Sequence, residues 1–423
     1  MASVVRRQQQ PAGSVAGGRR RIGGGAENLM PAPASPVLFV NAGAERGGAE
    51  VILLTLLRHL DRERFPPHVC CLRDGPFVNE LRREARVEVT VVPSGSFRQV
   101  RKGLEAVTRI HALAVARHVA LVHANGTGAH IYGGLAARRA GVPHIYHVHD
   151  VPEAGWNGQG MIGRLARMVP AAVTITPSRF LAERLAQRPV RSARIVHVAN
   201  GLDAPAASRR AAELTFGPAT ETKAQAADRA PVAVWCGRLQ RWKGAHVFIR
   251  AAAIARQAVP SARFVIVGGT LMGLEPEYES DLRALVRTLG LESAVQFTGQ
   301  QADVWPYLAQ ADVLVHSSIA PEPFGLVILE AMLAGKPVIA SADGGPLEIV
   351  EPDRTGLLVP PGDALALGAA IARLLDDSAA RARMGAEGRR RAELHFSATA
   401  MTKRLEELYE GVLAASAPRG EAA

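Results

Sequence analysis

Short apolar runs recur along the chain, each followed by polar, glycine-rich punctuation and then by a longer stretch of helical composition. In the first half they are Val37–Val40, His68–Leu72, Val87–Val92, Leu121–His123, His144–His149, Ala172–Thr176 and Arg194–Val198. Runs this short, rich in β-branched residues and bounded by turn signals, predict buried strands. Between them, Ala49 to about Leu60, Ala106–Arg117 and Ser178 to about Ala186 carry the spacing of helices. The pattern lapses over residues 204–230, a polar, alanine-rich stretch read as a linker. It then restarts with Val232–Cys236, Phe264–Val267, Val295–Phe297, Val313–Val315, Pro337–Ala340 and Gly356–Val359. Ser397–Ala415 closes the chain as an amphipathic helix with Ser397 at its N-cap.

Strands alternating with helices imply parallel βαβ units wound on both faces of a sheet. Two such series predict an α/β protein of two Rossmann-like doubly wound domains, with ligands bound in the cleft between them. The boundaries expected are a basic disordered tail over 1–35, a first domain over 36–203, the linker over 204–230, a second domain over 231–396, and a terminal helix and tail over 397–423 that packs back on the first domain. A length of 423 residues suits two domains of ordinary size.

Composition narrows the partners. With 48% hydrophobic and 21% charged residues the chain has a soluble, globular profile. Its net charge of +11 favours anionic partners, whether phosphorylated substrates or anionic lipid. No dense basic stripe interleaves with aromatics, which disfavours nucleic acid. The three cysteines, Cys70, Cys71 and Cys236, make neither a disulfide framework nor a metal pair. A reducing cytoplasm is the expected location. No apolar run approaches the roughly 18 residues needed to span a bilayer. The arginines of the N-terminal tail precede no apolar segment of the kind a secretory signal needs. His123, His130, His144, His147 and His149 crowd the first half without acids or cysteines at ligand spacing, and they read as scattered core and surface histidines, not a metal site.

The chemistry concentrates in "EPFGLVILEAMLAGKPVIASADGG", Glu322–Gly345. Pro323 and Gly325 mark a loop, and Leu326–Ala334 has helical composition with Gly335 as its stop. The first N–H groups of such a helix lack partners and favour phosphate. Glu330, little more than one turn in, could accept hydrogen bonds from ribose hydroxyls. Glu322, on the loop, could hold sugar hydroxyls. Upstream, Arg238 and Lys243 follow the first strand of the second half, where a fork-shaped and a compact cation both suit a diphosphate. The spacing of the acids alone fits equally well with solvated surface carboxylates. Glu348, after Gly344-Gly345, reads as a solvated helix residue.

"GRLQRWKG" followed by "EPFGLVILEAMLAGKPVIAS" resembles the family 4 retaining glycosyltransferases of GT-B fold. "VANGLD" (Val198–Asp203), "GGAE" (Gly47–Glu50) and "HVHD" (His147–Asp150) are similar to further segments of that family, and the resemblance spans roughly residues 36–415. Ala199 stands where the family usually has proline. The resemblance implies that Arg238 and Lys243 neutralise a donor diphosphate. Glu330 would then hold the ribose and Glu322 the sugar. Phe324, Gly325 and Leu326 would offer backbone N–H groups, and Gly47 and Gly48 would admit the diphosphate. His149 would contact the transferred sugar, and Gly299 and Gln300 would flank the base.

The expected activity is therefore retaining transfer of a hexose from a UDP- or GDP-sugar to an acceptor hydroxyl on a glycan, a lipid-linked sugar or a small molecule. No cofactor is expected. With no D-x-D pair, no metal is expected to bridge the diphosphate. Peripheral contact with an anionic inner membrane face is a further expectation from the charge. The alternatives are an epimerase or hydrolase of the same fold, or a silent nucleotide-sugar sensor. The glycines around Gly43, Gly47 and Gly48 lack the G-x-G-x-x-G order, which argues against hydride transfer. Acceptor choice is assigned to first-half loops such as Ala154–Gly158.

Overall fold

The structure, a computed structural model, describes residues 34–150, 161–187, 191–203, 229–270 and 275–416. The expected tail, most of the expected linker, the Ala154–Gly158 loop and the last residues of the chain lie outside these.

Two all-parallel sheets form the frame. The first has seven strands in the order β3-β2-β1-β4-β5-β6-β7, the second six in the order β10-β9-β8-β11-β12-β13. The first comprises β1 (Val37–Asn41), β2 (Pro67–Cys71), β3 (Glu88–Val91), β4 (Leu121–Asn125), β5 (His144–His147), β6 (Val173–Thr176) and β7 (Ile195–His197). The second comprises β8 (Val232–Cys236), β9 (Arg263–Val267), β10 (Val295–Phe297), β11 (Val313–His316), β12 (Val338–Ser341) and β13 (Gly356–Val359). The central strands β1, β4 and β11 are buried along their whole length, as a sheet covered by helices on both faces requires. This is the doubly wound α/β pair expected from the alternating pattern.

In each sheet the strand order reverses at one place, between β1 and β4 and between β8 and β11. There the two flanking connections run to opposite faces and leave a crevice beyond the strand ends. Register sets Asn41 opposite Asn125, and Asn125 opposite His147, at the carboxyl ends of β1, β4 and β5. In the second sheet the corresponding ends carry the loops after Cys236 and His316.

The chain crosses between the halves at neighbouring points. Leu202 N–H donates to the Phe396 carbonyl at 3.0 Å, and Ala398 N–H donates to the Leu202 carbonyl at 3.1 Å. A Cβ on Gly201 would overlap the Ser397 carbonyl, so glycine is needed where the two strands of chain touch. Ser397 Oγ then accepts from Ala400 N–H at 3.2 Å and caps the Ala398–Ser416 helix. That helix lies against the Gly48–His59 helix of the first half. Glu406 accepts from Asp61 N–H at 2.8 Å, Glu410 pairs with Arg64, and Tyr409 is fully buried against Phe65.

Candidate active site

Glu322 sits after β11 with only 7% of its surface exposed. Its Oε2 accepts from Lys243 Nζ at 2.6 Å, from His316 Nε2 at 3.1 Å and from Ser318 Oγ at 3.1 Å. Burial works against its charge, but Lys243 and then His316 hold the carboxyl well below the usual carboxylate range. The loop is braced from behind: Gly345 N–H donates to the Glu322 carbonyl at 2.8 Å. A Cβ on Gly344 would strike that carbonyl, and one on Gly345 would strike the Phe324 backbone. The "ADGG" glycines therefore serve the Glu322–Phe324 loop by letting it approach.

Gly325, with φ 102°, turns the chain into the Leu326–Leu333 helix. Among the described residues nothing accepts from the N–H groups of Gly325, Leu326 and Val327. The Phe324 side chain is buried against Phe396, 5.9 Å between centroids, which anchors the loop. The carboxylate of Glu330, on the same helix, forms no hydrogen bond or ion pair with any described residue. Burial pushes its carboxyl up to about 7; Arg46 of the first half pulls it down and Asp303 pushes it further up.

The β8 loop is held equally closely. Gly244, at φ 73°, lies so near the Ser317 carbonyl that no side chain would fit, and this fixes the short turn carrying Lys243. Lys243 Nζ also lies 4.1 Å from the Trp242 ring centroid. Arg238 is exposed and makes no ion pair with any described residue. Gly299 and Gln300 border this loop through Gly268 and Gly269: Gly268 N–H donates to the Gly299 carbonyl at 3.0 Å.

From the first half, Gly48 opens the Gly48–His59 helix and faces Leu326, whose Cδ1 would lie 3.2 Å from a Cβ placed there. His149 follows β5, with its ring 4.3 Å from that of His147 and its Nε2 2.7 Å from Asn125 Oδ1. Burial lowers His149 to about 3, so the ring is neutral. Asp150 keeps solvent contact but is flanked by protein, which raises its carboxyl, while Arg238 and Lys243 across the cleft lower it. The structure thus brings Arg238, Lys243 and Glu322 close enough to Asp150 for their charges to act on it, and sets the Leu326 helix terminus beside Gly48. It pairs Lys243 with Glu322, a contact that spacing along the chain does not reveal.

Residues 46–204 match the model described as Glycosyltransferase Family 4, and residues 219–391 match that of Glycosyl transferases group 1. The D-inositol 3-phosphate glycosyltransferase of Salinispora arenicola is 32% identical over 341 residues, 74% of this chain and 73% of that protein. A GDP-mannose-dependent phosphatidylinositol monomannoside mannosyltransferase of Mycolicibacterium smegmatis is 31% identical over 293 residues, 66% of this chain and 73% of that protein. The crystal structure of Anabaena Alr3699/HepE in complex with UDP-glucose superposes with a TM-score of 0.75 at 28% identity, covering 89% of this chain and 99% of that one. This chain is a family 4 glycosyltransferase of GT-B fold.

Three features of the glycosyltransferase differ from the sequence reading. Glu348 is a partly exposed helix residue, but its carboxylate is not free in solvent. Its carboxylate accepts the N–H groups of Arg179 at 3.0 Å and Phe180 at 2.9 Å, capping the Arg179–Ala186 helix from the opposite half. The interaction is cross-domain, with Ser178 Oγ donating to the Pro323 carbonyl at 2.6 Å beside it. The first-half glycines also have a second purpose. A Cβ on Gly43 would overlap the carboxylate of Glu50, which is buried and accepts from Gly47 N–H at 3.2 Å, so Gly43 and Gly47 wrap an internal acid.

The histidines of the glycosyltransferase are not scattered. Tyr409 OH lies 2.8 Å from His123 Nδ1, and His123 Nε2 lies 3.2 Å from His147 Nδ1, all buried. Separately, His130 Nδ1 lies 3.0 Å from His144 Nε2, with the Tyr146 ring stacked on His130 at 3.9 Å. Burial lowers His123 to about 3 and His130 to about 4, so these ladders are neutral. Among the described residues no cluster of three or more His, Cys, Asp or Glu is arranged to hold a metal, and no helix is long and apolar enough to cross a membrane.

Proposed function

We propose that this glycosyltransferase transfers a hexose from a UDP- or GDP-sugar to an acceptor hydroxyl, with retention of configuration and without a metal. The observation that supports the reading is the set of groups at the facing strand ends: unpartnered helix N–H groups, two cations and a half-buried carboxylate, Glu330, that meets no partner among the described residues. Diphosphate suits the first two and a ribose diol suits the third. A UDP-glucose complex of HepE supports a uridine donor, and the GDP-mannose dependence named for the mycobacterial relative supports a guanosine one.

In this reading Lys243 exchanges partners. Its charge is met by Glu322 in the free protein, and the donor diphosphate takes it over while Glu322 turns to the sugar hydroxyls. Arg238 and the N–H groups of Phe324, Gly325 and Leu326 complete the phosphate site. Gly47 and Gly48 admit the diphosphate from the first half, His149 contacts the sugar, and Gly299–Gln300 border the base. As the anomeric C–O bond breaks, charge builds on the leaving diphosphate, so preorganised cations and N–H dipoles stabilise that state most. The acceptor hydroxyl enters on the same face, and the leaving phosphate takes its proton. Close approach of Gly48 to Leu326 keeps water from the bond.

An anionic membrane surface is part of the proposal. On the Val100–Ala116 helix and just before it, Arg98, Arg101 and Lys102 are exposed beside Val100 and Leu104, 68% and 63% exposed.

A thermal-shift screen of nucleotide sugars tests the reading. A donor at about a hundred times its Kd adds about 2.7 kcal/mol to stability. One UDP- or GDP-sugar should raise the melting temperature and then yield free nucleoside diphosphate with acceptor. No response to any nucleotide sugar contradicts it.

A further inference from the structure

The carboxyl ends of β1, β4 and β5 carry a run of amide contacts behind His149 to which the proposed reaction gives no role. Asn125 is 3% exposed, and Asn41 is fully buried. Asn41 Nδ2 donates to the Gly43 carbonyl at 3.0 Å. A carbonyl oxygen can only accept, so the nitrogen of the Asn41 amide points there and its Oδ1 points to Asn125. Asn125 Nδ2 donates to that Oδ1 at 2.9 Å and to the Ala49 carbonyl at 3.2 Å. Two backbone carbonyls thus remove the usual ambiguity of amide orientation from both side chains.

The consequence falls on His149. The remaining Asn125 atom, Oδ1, lies 2.7 Å from His149 Nε2 and can only accept, so Nε2 carries the proton. A neutral imidazole has one N–H, which leaves Nδ1 as a bare acceptor. Nδ1 has no hydrogen-bond partner among the described residues.

We propose that Asn125 is a positioning residue for the donor sugar: it locks His149 in the Nε2-protonated tautomer, so that Nδ1 accepts a hydrogen bond from a hydroxyl of the transferred hexose. The inference rests on the proposed glycosyl transfer and adds the direction of the hydrogen bond and the residue that sets it. It selects for sugars bearing a hydroxyl, a donor, at that position. A deoxy or O-methyl sugar there leaves Nδ1 unpaired, and this is the kind of loss a polar site uses to reject an analogue. The same run ties His149 to the Gly43–Gly48 loop through Asn41 and the Ala49 carbonyl, so sugar contact and the glycine loop move as one piece.

The test is nitrogen-15 NMR of full-length protein with labelled histidine, the His149 signals being assigned with His149→Gln. In the free enzyme Nε2 should show the N–H type of shift and Nδ1 the bare type. Adding the nucleotide sugar found by thermal shift should move Nδ1 toward the hydrogen-bonded range, whereas the nucleoside diphosphate alone should leave it in place. Asn125→Leu, checked for folding by its melting curve, should lose the fixed tautomer. It should also lower kcat roughly tenfold, the loss of about one hydrogen bond, with donor KM nearly unchanged. Asn125→Asp keeps an acceptor at Nε2 but adds a charge that favours the imidazolium, so it should place a proton on Nδ1 as well and weaken the sugar response, a readout that serves if the leucine variant does not fold. A proton on Nδ1 in the wild type, or a sugar-bound Nδ1 signal identical to that of the free enzyme, overturns the inference while glycosyl transfer stands. A folded Asn125→Leu with wild-type tautomer and rate overturns it too. If no nucleotide sugar raises the melting temperature, the functional reading fails and this inference falls with it.

Discussion

Glu330→Gln separates what the site does from what it costs the fold. The Glu330 carboxyl is raised by burial from 4.5 to about 7. In the folded protein it therefore holds its proton between those values, while in the unfolded chain it has already lost it. Stability falls as pH rises through that window, and the whole loss is present above about pH 7. A shift of this size corresponds to about 3 kcal/mol, an upper figure because the side chain keeps partial solvent contact. Glutamine cannot ionise, so the variant should melt a few degrees above wild type at pH 8.5 and close to wild type at pH 5. Nucleotide affinity should change in the opposite sense. The carboxylate is assigned two ribose hydroxyls, each charge-assisted bond being worth about 1.5–3 kcal/mol, so the variant should bind nucleoside diphosphate at least tenfold more weakly. In wild type, affinity should also weaken as pH falls below about 7, because the proton must leave first. Differential scanning fluorimetry at both pH values and calorimetric titration check this. A variant whose melting difference from wild type is the same at both pH values refutes the buried-charge argument. Unchanged nucleotide affinity removes Glu330 from the site.

Tyr409→Phe removes the hydroxyl partner of His123 Nδ1 in the buried ladder and should destabilise the protein by about 1–3 kcal/mol in urea unfolding; unchanged stability would mean that the ladder carries no net energy. Glu348→Ala uncaps the Arg179–Ala186 helix from across the cleft and should cost about 0.5–2 kcal/mol, with Glu348→Gln recovering part of it; an alanine variant as stable as wild type would refute the cap. Vesicles rich in anionic lipid should co-sediment the protein at low salt and release it at high salt, and Arg101→Glu with Lys102→Glu should weaken this; no binding at low salt ends the membrane proposal.

The strands were readable because sheets covered on both faces demand uninterrupted apolar runs, and Val37–Val40 and Val313–Val315 supply them. The same signal misjudged the strand ends. β4 continues past His123 to Asn125 because a buried asparagine with three hydrogen-bonding contacts belongs to the sheet, although its polarity reads as a loop. The Leu326 helix and its glycine entry were visible in composition, since Gly325 and Gly335 punctuate it. What stayed hidden were pairings between distant segments. Lys243 with Glu322 and Glu348 with the Arg179 helix join residues far apart in the chain, and no spacing rule links them. Gly43 posed a different difficulty. A glycine before a helix suggests room for phosphate, whereas the atom it makes room for is the Glu50 carboxylate, seven residues on.

The central claim is that cations on the β8 loop stabilise the departing diphosphate. It is tested most directly by single-turnover release of nucleoside diphosphate from saturating donor, comparing wild type with Lys243→Ala. Removing one preorganised donor of this kind typically costs about 10²–10³ in rate. Lys243→Ala should lose about that factor in kcat, with a smaller loss in donor affinity, and adding Arg238→Ala should cost less than the product of the two single losses. A Lys243→Ala enzyme that binds donor weakly yet turns over at the wild-type rate once saturated would contradict the account.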